Sequence, residues 1–490
     1  MSTVKMRGIQ TICGMAVMLL IGASTASAEV PLKVGERYRL AVDSSKPGGD
    51  LAAEVTATGA RWTLTHPGAT YIAIHFDKFD LPPGDELVIS DGRGGQEVRL
   101  AGLGKMDLGT FWAQHVKGDT AVMEFVTTGE KPGKGFKIDE YAAGFVGLGG
   151  APVTEEICGT NDLQNAICRS PSVEYDRARA IARLLIQGTS LCTGWLASGT
   201  SHLITNNHCI GNATAAANTD YEFGSEAPTC GSSNCQLCYP GTIFSGASFV
   251  QTNVGLDYTL VQITAGNPAA TFGFLQIDNR TAVVGEQIYL VSHPAGRAKE
   301  FAYNSTGDVG NVGRVLSLNE ASCTGGTLEV GYHNDTEGGS SGSPVIAVSS
   351  QKVIVLHHCR GNALFCGDPN RGVPIDQICA QICGLLGSGC TTNADCTGGQ
   401  ICCGGACRAA TCSSGANCND GIACTTDTCN NPGTCTASCS STWPSCGIND
   451  GCCGPTCTSG TDPNCCRPKN TACTANSQCC SNKCRGGRCR

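Results

Sequence analysis

Apolar and polar positions alternate through the first third of the chain. In "YIAIHFD" Ile72, Ile74 and Phe76 fall on one face, in "TAVMEFV" Ala121, Met123 and Phe125 do, and in "GFKIDEY" Phe136 and Ile138 do. A period of two is that of a strand with one buried face, and "LPPGDE" and "DGRGGQE" read as turns between such strands. Residues 29–150 are therefore expected to form a β-sandwich, and "VGLGGAPVTEE" a linker after it. From 151 to 387 the pattern is mostly short strands between Gly- and Ser-rich turns, with one helical stretch near the end. There Ile375, Ile378, Cys379, Ile382 and Leu386 recur at helical spacing, which predicts a stripe packed on a core. From 388 to 490 the only large apolar residues are Ile401, Ile422, Trp443 and Ile448, too few for a core.

At 490 residues the chain is too long for one core, and these shifts of pattern divide it. Residues 1–28 read as a secretory signal peptide: Lys5 and Arg7, then the apolar run Met15 to Ile21, then Ala26-Ser27-Ala28. No segment has the length of a transmembrane helix. Export makes disulfides the expected state of the 35 cysteines, of which none lies between 29 and 157, twelve between 158 and 383, and twenty-two between 390 and 489. Both blocks are even, which sets a boundary near 388. A net charge of −8 gives no reason to expect a nucleic-acid partner.

In the tail the spacing repeats. Cys390, Cys396, Cys402, Cys403, Cys407 and Cys412 follow C-x5-C-x5-CC-x3-C-x4-C, and Cys466, Cys473, Cys479, Cys480, Cys484 and Cys489 follow nearly the same frame. Cys439, Cys446, Cys452, Cys453, Cys457 and Cys465 differ in a longer final gap, and Cys418, Cys424, Cys429 and Cys435 form a separate spacer. The frame resembles the inhibitor cystine knot of knottins, which implies first-to-fourth, second-to-fifth and third-to-sixth pairing. Such beads suit binding or anchoring, and the cationic last bead (Arg467, Lys469, Lys483, Arg485, Arg488, Arg490) suits contact with a cell surface or an anionic polysaccharide; an inert stalk with a solvated basic face is the plainer reading. The sandwich is loosely similar to the CUB-like and jelly-roll accessory domains of secreted enzymes, and propeptide, chaperone, binding and purely structural roles are all open to it.

"HNDTEGGSSGSPVI", residues 333–346, puts small flexible residues at the entrance to an apolar strand. A surface turn would explain them. A second explanation is a backbone that must approach a reacting carbonyl, with the N–H groups of Gly339 and Ser341 as an oxyanion hole and the Ser341 hydroxyl beside it. Serine needs a base and a carboxylate to act. His208 closes an apolar strand in "HLITNNHCIG", and Cys192 in "SLCTGWLAS" is positioned to bridge Cys209 and pin that loop. Asp257 heads a buried strand in "VGLDYTLVQI", where a charge requires a partner that His208 would supply.

His208, Asp257 and Ser341 stand in the order and approximate spacing of the chymotrypsin-fold serine endopeptidases. "TEGGSSGSP", "LDYTLVQI", "VSHPAG" and "VLHHC" resemble the bacterial lysyl-endopeptidase branch over roughly 158–385. The resemblance implies a mostly β protein with two six-stranded antiparallel β-barrels. It makes His208 the general base, Asp257 its orienter, Ser341 the nucleophile, and the Gly339 and Ser341 amides the oxyanion hole. Two departures stand out: Asn206-Asn207 replaces the family's Ala-Ala before the histidine, and Ser340 replaces the aspartate of trypsin-like zymogens. Without that aspartate a new N-terminus has no carboxylate to insert against, so removal of the 29–150 domain would act by uncovering the cleft.

Glu337, Asp368 and Asp335 are candidates for a carboxylate at the P1 pocket, which would select Lys or Arg; each is otherwise a solvated loop acid. His357 or His358 lining the pocket would instead favour an acidic P1, as in glutamyl endopeptidases. The other cysteines of this block are expected to be bridged, Cys158 and Cys168 to later loops, among them Cys359 or Cys366 and Cys230 or Cys238. Cys235 and Cys238 have zinc-like spacing without companions, so neither metal nor cofactor is expected. The function expected is a secreted serine endopeptidase acting on proteins or peptides. Its alternative is an inactive relative that binds surfaces through its tail.

Overall fold

The computed structural model describes residues 30–46, 49–129, 134–145, 157, 160–360 and 368–386, with parts of the tail between 401 and 490. The signal segment, the linker, Cys158, Cys366 and most of the first knot lie outside the described residues. None of the described helices is long and apolar enough to cross a membrane.

Residues 30–145 form two five-stranded antiparallel sheets packed face to face. Ile72, Ile74 and Phe76 of the Tyr71–Asp80 strand point into a core with Trp62, Met123 and Phe136, as their alternation requires. The pattern misses the other face of that strand. Tyr71 and Ala73 are buried too, because the outer face of their sheet is covered by the rest of the chain. Tyr71 and Val34 share an apolar cluster with Leu185, Leu191 and Leu237.

The segment from 160 to 386 is built on two curled sheets of eight strands each. In the first, Thr242–Ser245 and Ala247–Asn253 are one stretch bent at Gly246 (φ 92°), which pairs with Thr219–Phe223 at one end and Tyr258–Ile263 at the other. The sheet thereby closes on itself. In the second, backbone bonds between 285–288 and 313–315 curl the sheet back. Both sheets hold more strands than the six per barrel expected; one in each is an added edge, Leu32–Lys33 from the amino-terminal domain in the first and Gln164–Asn165 in the second. The terminal helix, Ile375–Ile382, buries Ile375, Ile378, Cys379 and Ile382 as its spacing predicts.

Bridges join Cys168 to Cys230, Cys192 to Cys209, Cys235 to Cys238, Cys323 to Cys359 and Cys379 to Cys383. The 235–238 pair is thus a disulfide. In the last bead Cys473–Cys484 and Cys479–Cys489 are the second-to-fifth and third-to-sixth pairs expected of a knot. The earlier division of the tail is corrected: Cys412 pairs with Cys429 and Cys418 with Cys439, so the spacer borrows a cysteine from each neighbour. The hairpin Thr426–Asn430 with Ser438–Thr442 brings Cys429 and Cys439 side by side, which six-residue counting could not reveal.

The amino-terminal domain is held to the first sheet by buried charge. Asp220 and Glu222 project from one face of the Thr219–Phe223 strand. The His115 N–H and Nδ1 lie 2.9 and 2.7 Å from Asp220 Oδ2, Lys105 Nζ is 3.9 Å from Asp220 and Lys117 Nζ 3.6 Å from Glu222. Arg183 donates to Glu222 from the adjacent strand at 2.9 and 2.7 Å. Burial pushes Lys105 and Lys117 down to about 8. It would raise Glu222, but the charges of Arg183 and Lys117 outweigh it and hold the carboxyl well below its usual range. Breaking a buried pair strands its partner at a cost of about 3–5 kcal/mol. Glu222→Gln, which keeps the shape and removes the charge, should therefore lower stability by about that much in denaturant unfolding; a loss under about 1 kcal/mol, the scale of an exposed pair, would contradict this account of the interface.

Candidate functional site

His208 follows the buried strand His202–Thr205, and its loop is fastened by the Cys192–Cys209 bridge. Asp257 stands immediately before Tyr258–Ile263, the neighbour of that strand, so the two residues meet where adjacent strands end. Asp257 is 3% exposed and in the left-handed conformation (φ 41°). Its Oδ1 accepts the His208 N–H at 2.9 Å and its Oδ2 lies 2.6 Å from His208 Nδ1. This arrangement turns His208 Nε2 away from the carboxylate, and that nitrogen is buried with no hydrogen-bond partner among the described residues. The departure at Asn206-Asn207 has a structural use: Asn206 Nδ2 donates to the Asp257 carbonyl at 2.8 Å and Asn207 Nδ2 to Thr252 at 2.8 Å.

Ser341 lies in the turn before Pro344–Ala347, and that turn is fixed to the His208 side of the molecule. Thr193 N–H donates to the Ser341 carbonyl at 2.9 Å and Thr193 Oγ1 to the Gly339 carbonyl at 2.8 Å. Thr193 follows Cys192, whose bridge reaches the residue after His208. Gly339 and Gly342 have φ of 98° and 88°, and a Cβ on Gly342 would lie 2.1 Å from the Thr193 carbonyl oxygen, so glycine is required there. The N–H groups of Ser340, Gly342 and Ser343 are taken by the carbonyls of Glu337, His357 and Ser340. Those of Gly339 and Ser341 donate to no group among the described residues. Ser340 is fully buried and donates to Ser292.

His358, weighed in the sequence only as a pocket residue, belongs instead behind the histidine. Its Nδ1 is 3.1 Å from Asp257 Oδ2 and its Nε2 2.9 Å from Glu329 Oε2, all of them buried. Burial would depress His358, but the Asp257 hydrogen bond and the Glu329 carboxylate outweigh it and push it up to about 9. For Asp257 burial acts upward, and the bonds from His208 and His358 overcome it, holding the carboxyl well below its usual range. The Cys-Glu-His grouping here is not a metal cage, because Cys323 and Cys359 are bridged to each other. The "HHC" tripeptide at a strand end was the available signal; Glu329 had none.

The pocket candidates separate. Glu337 is paired with Arg297, which also binds Glu300, and Asp368 is paired with Arg371. Asp335 is 1% exposed and accepts the Asp162 N–H at 2.6 Å. His357 Nδ1 is 2.6 Å from the Tyr332 hydroxyl. Thr336 Oγ1 is buried without a hydrogen-bond partner among the described residues.

Residues 161–374 match the family model "Lysyl endopeptidase, C-terminal domain". The chain is 34% identical over 344 residues to the "Secreted RxLR effector protein 73" of Plasmopara viticola, covering 66% of this chain and 81% of that one. Fainter likenesses, too low in score to argue from, link it to the MamO protease domain from Magnetospirillum magneticum (14% identity, 42% of this chain and 97% of that one, TM-score 0.31). The same holds for a serine endoprotease from Yersinia pestis (16% identity, 47% and 68%, TM-score 0.30).

The raised His358 makes a pH prediction. A group titrating near 6.5 when unfolded and about 9 when folded adds stability that is complete below 6.5 and lost as pH rises through 9. His358→Gln should abolish that contribution, on the order of 3 kcal/mol. The difference in unfolding free energy between wild type and variant should shrink steadily from pH 6 to 10; a constant difference would show that His358 is not charged in the fold.

Proposed function

The chain belongs to a protease-related family, the one it shares with the secreted effector of Plasmopara viticola, and from that premise we propose that it is a secreted serine endopeptidase. The observation that carries the reading is the buried Asp257 carboxylate holding His208 by Nδ1, with Nε2 left for a proton. In this reading Ser341 Oγ attacks the peptide carbonyl as its proton passes to His208 Nε2. The oxyanion is met by the N–H groups of Gly339 and Ser341, two donors the turn leaves uncommitted. His208 then gives the proton to the leaving amine, and water repeats the sequence on the acyl-enzyme. Asp257 keeps Nδ1 protonated and stabilises the imidazolium. His358 and Glu329 hold Asp257 in place.

We assign a basic P1 preference, with Asp335, buried and six residues before Ser341, as the candidate carboxylate at the pocket base. A carboxylate at the base of that pocket would select a Lys or Arg side chain. One observation favours an acidic P1 instead: the hydroxyl of Thr336, buried and unbonded among the described residues, would donate to a substrate carboxylate beside His357. The cysteine-rich tail would then serve attachment, the role the rival reading of an inactive surface-binding protein gives to the whole chain.

A fluorophosphonate probe should label the wild type and not Ser341→Ala; folded wild-type protein that resists labelling would leave the surface-binding reading. On a peptide library cleavage should follow Lys or Arg. Asp335→Asn should lower kcat/KM for those substrates by about 100-fold or more, roughly 3 kcal/mol of lost charge pairing. Cleavage after Glu, weakened by Thr336→Val, would reverse the assignment.

A further inference from the structure

The amino-terminal domain reaches the reacting centre through one short strand. Leu32 and Lys33 pair antiparallel with Leu191 and Ser190, at the start of the Ser190–Leu196 strand. On one side that strand is matched by Ile181–Ile186 from Ser190 to Trp195. On its other side His202–Thr205 pairs only with Trp195 and Leu196, so the edge at 190–191 is open to another chain. Leu32–Lys33 occupies it. The pairing is anchored by the Val34 N–H, which donates to the Thr189 carbonyl at 2.8 Å, and by the Val34 side chain, fully buried against Tyr71, Leu185 and Leu191.

That edge adjoins the nucleophile turn. A Cβ on Gly339 would lie 3.0 Å from Leu191 Cδ2, and Thr193, two residues on, holds both the Gly339 and the Ser341 carbonyls. Cys192 between them is bridged to Cys209 beside His208. During acyl transfer the leaving amine takes its proton from His208, so the part of a substrate beyond the scissile bond runs along the histidine's side, over this bridge. An extended peptide passing an open sheet edge gains its affinity from backbone hydrogen bonds to that edge.

We propose that residues 32–33 fill the edge on which the leaving-group side of a substrate would pair, so that the amino-terminal domain sets how much chain a substrate carries beyond the cleaved bond. The inference rests on the serine endopeptidase reading. It makes the domain a determinant of specificity that stays in place during turnover. Substrates with one leaving-group residue fit beside Leu191; longer ones must compete with Leu32 for the same backbone groups.

The test uses the full chain and substrates identical up to the cleaved bond, ending in a small ester or in one, two or four further residues. For wild type kcat/KM should fall at least tenfold between one and four residues. A variant lacking residues 30–33 should lose that dependence and leave ester hydrolysis within twofold. Leu32→Pro, which breaks the pairing without shortening the chain, decides the matter if the deletion does not fold. Ester hydrolysis with equal rates for all leaving groups in wild type, or an unchanged length dependence in a folded variant, overturns the proposal. Absence of ester hydrolysis in wild type would instead overturn the endopeptidase reading, and this inference with it.

Discussion

One ionised carboxylate, buried where two sheets meet, organises the centre of this molecule. Water cannot solvate Asp257, so protein groups must, and each group recruited constrains a different segment. The His208 main chain and ring bring the loop after one strand, Asn206 fixes the aspartate's own carbonyl, and His358 brings the last residues of the Lys352–Cys359 strand from the second sheet. Glu329 then sets a second carboxylate against the far side of His358, and the Cys323–Cys359 bridge holds that strand end. The sheets are thus registered by a chain of four hydrogen-bonding or charged side chains, His208, Asp257, His358 and Glu329. The left-handed backbone at Asp257 is the local strain this geometry requires.

The same rule binds the amino-terminal domain. Asp220 and Glu222 face outward from the first sheet and become buried only because another domain covers them. Lys105 and Lys117 supply the countercharges from that domain, His115 adds hydrogen bonds to Asp220, and Arg183 supplies a countercharge from within the sheet. Gly246 belongs to this contact as well: a Cβ there would lie 2.6 Å from Met106 Sδ. A segment destined for easy removal is poorly served by such an interface, since parting the domains would expose Tyr71 and Leu191 to water together with four charges. The buried network weighs against the propeptide role, one of those open to this domain from the sequence.

Much of this was legible from residues, within definite limits. Alternation located the strands at 71–77, 120–126 and 135–141 because each has a face in a local core, and helical spacing located Ile375–Ile382 for the same reason. The pairing of His208 with Asp257 was foreseeable, since a carboxylate heading an apolar strand must have a partner. What escaped was everything decided by a second body. Tyr71 and Ala73 look solvent-facing by parity, yet are covered. Glu337 and Asp368 look available to a substrate until Arg297 and Arg371 fold onto them. Cysteine counting failed in the spacer because the hairpin, not the count, decides which sulfurs meet.

The two buried charge clusters divide the work by position. The Asp257 cluster lies where the two sheets meet and fixes the direction in which His208 presents its free nitrogen. The Asp220–Glu222 cluster lies outside and fixes where the amino-terminal domain stands, hence where Leu32 meets Leu191. Neither could be replaced by apolar packing without losing that directional information, because hydrophobic contact tolerates sliding and rotation while a hydrogen-bonded charge does not. A shift of one residue in the Leu32 pairing would turn Leu32 out of its apolar cluster and Lys33 into it, a cost the register forbids. The rigidity of the distant ionic contact is therefore what lets a two-residue strand keep its register.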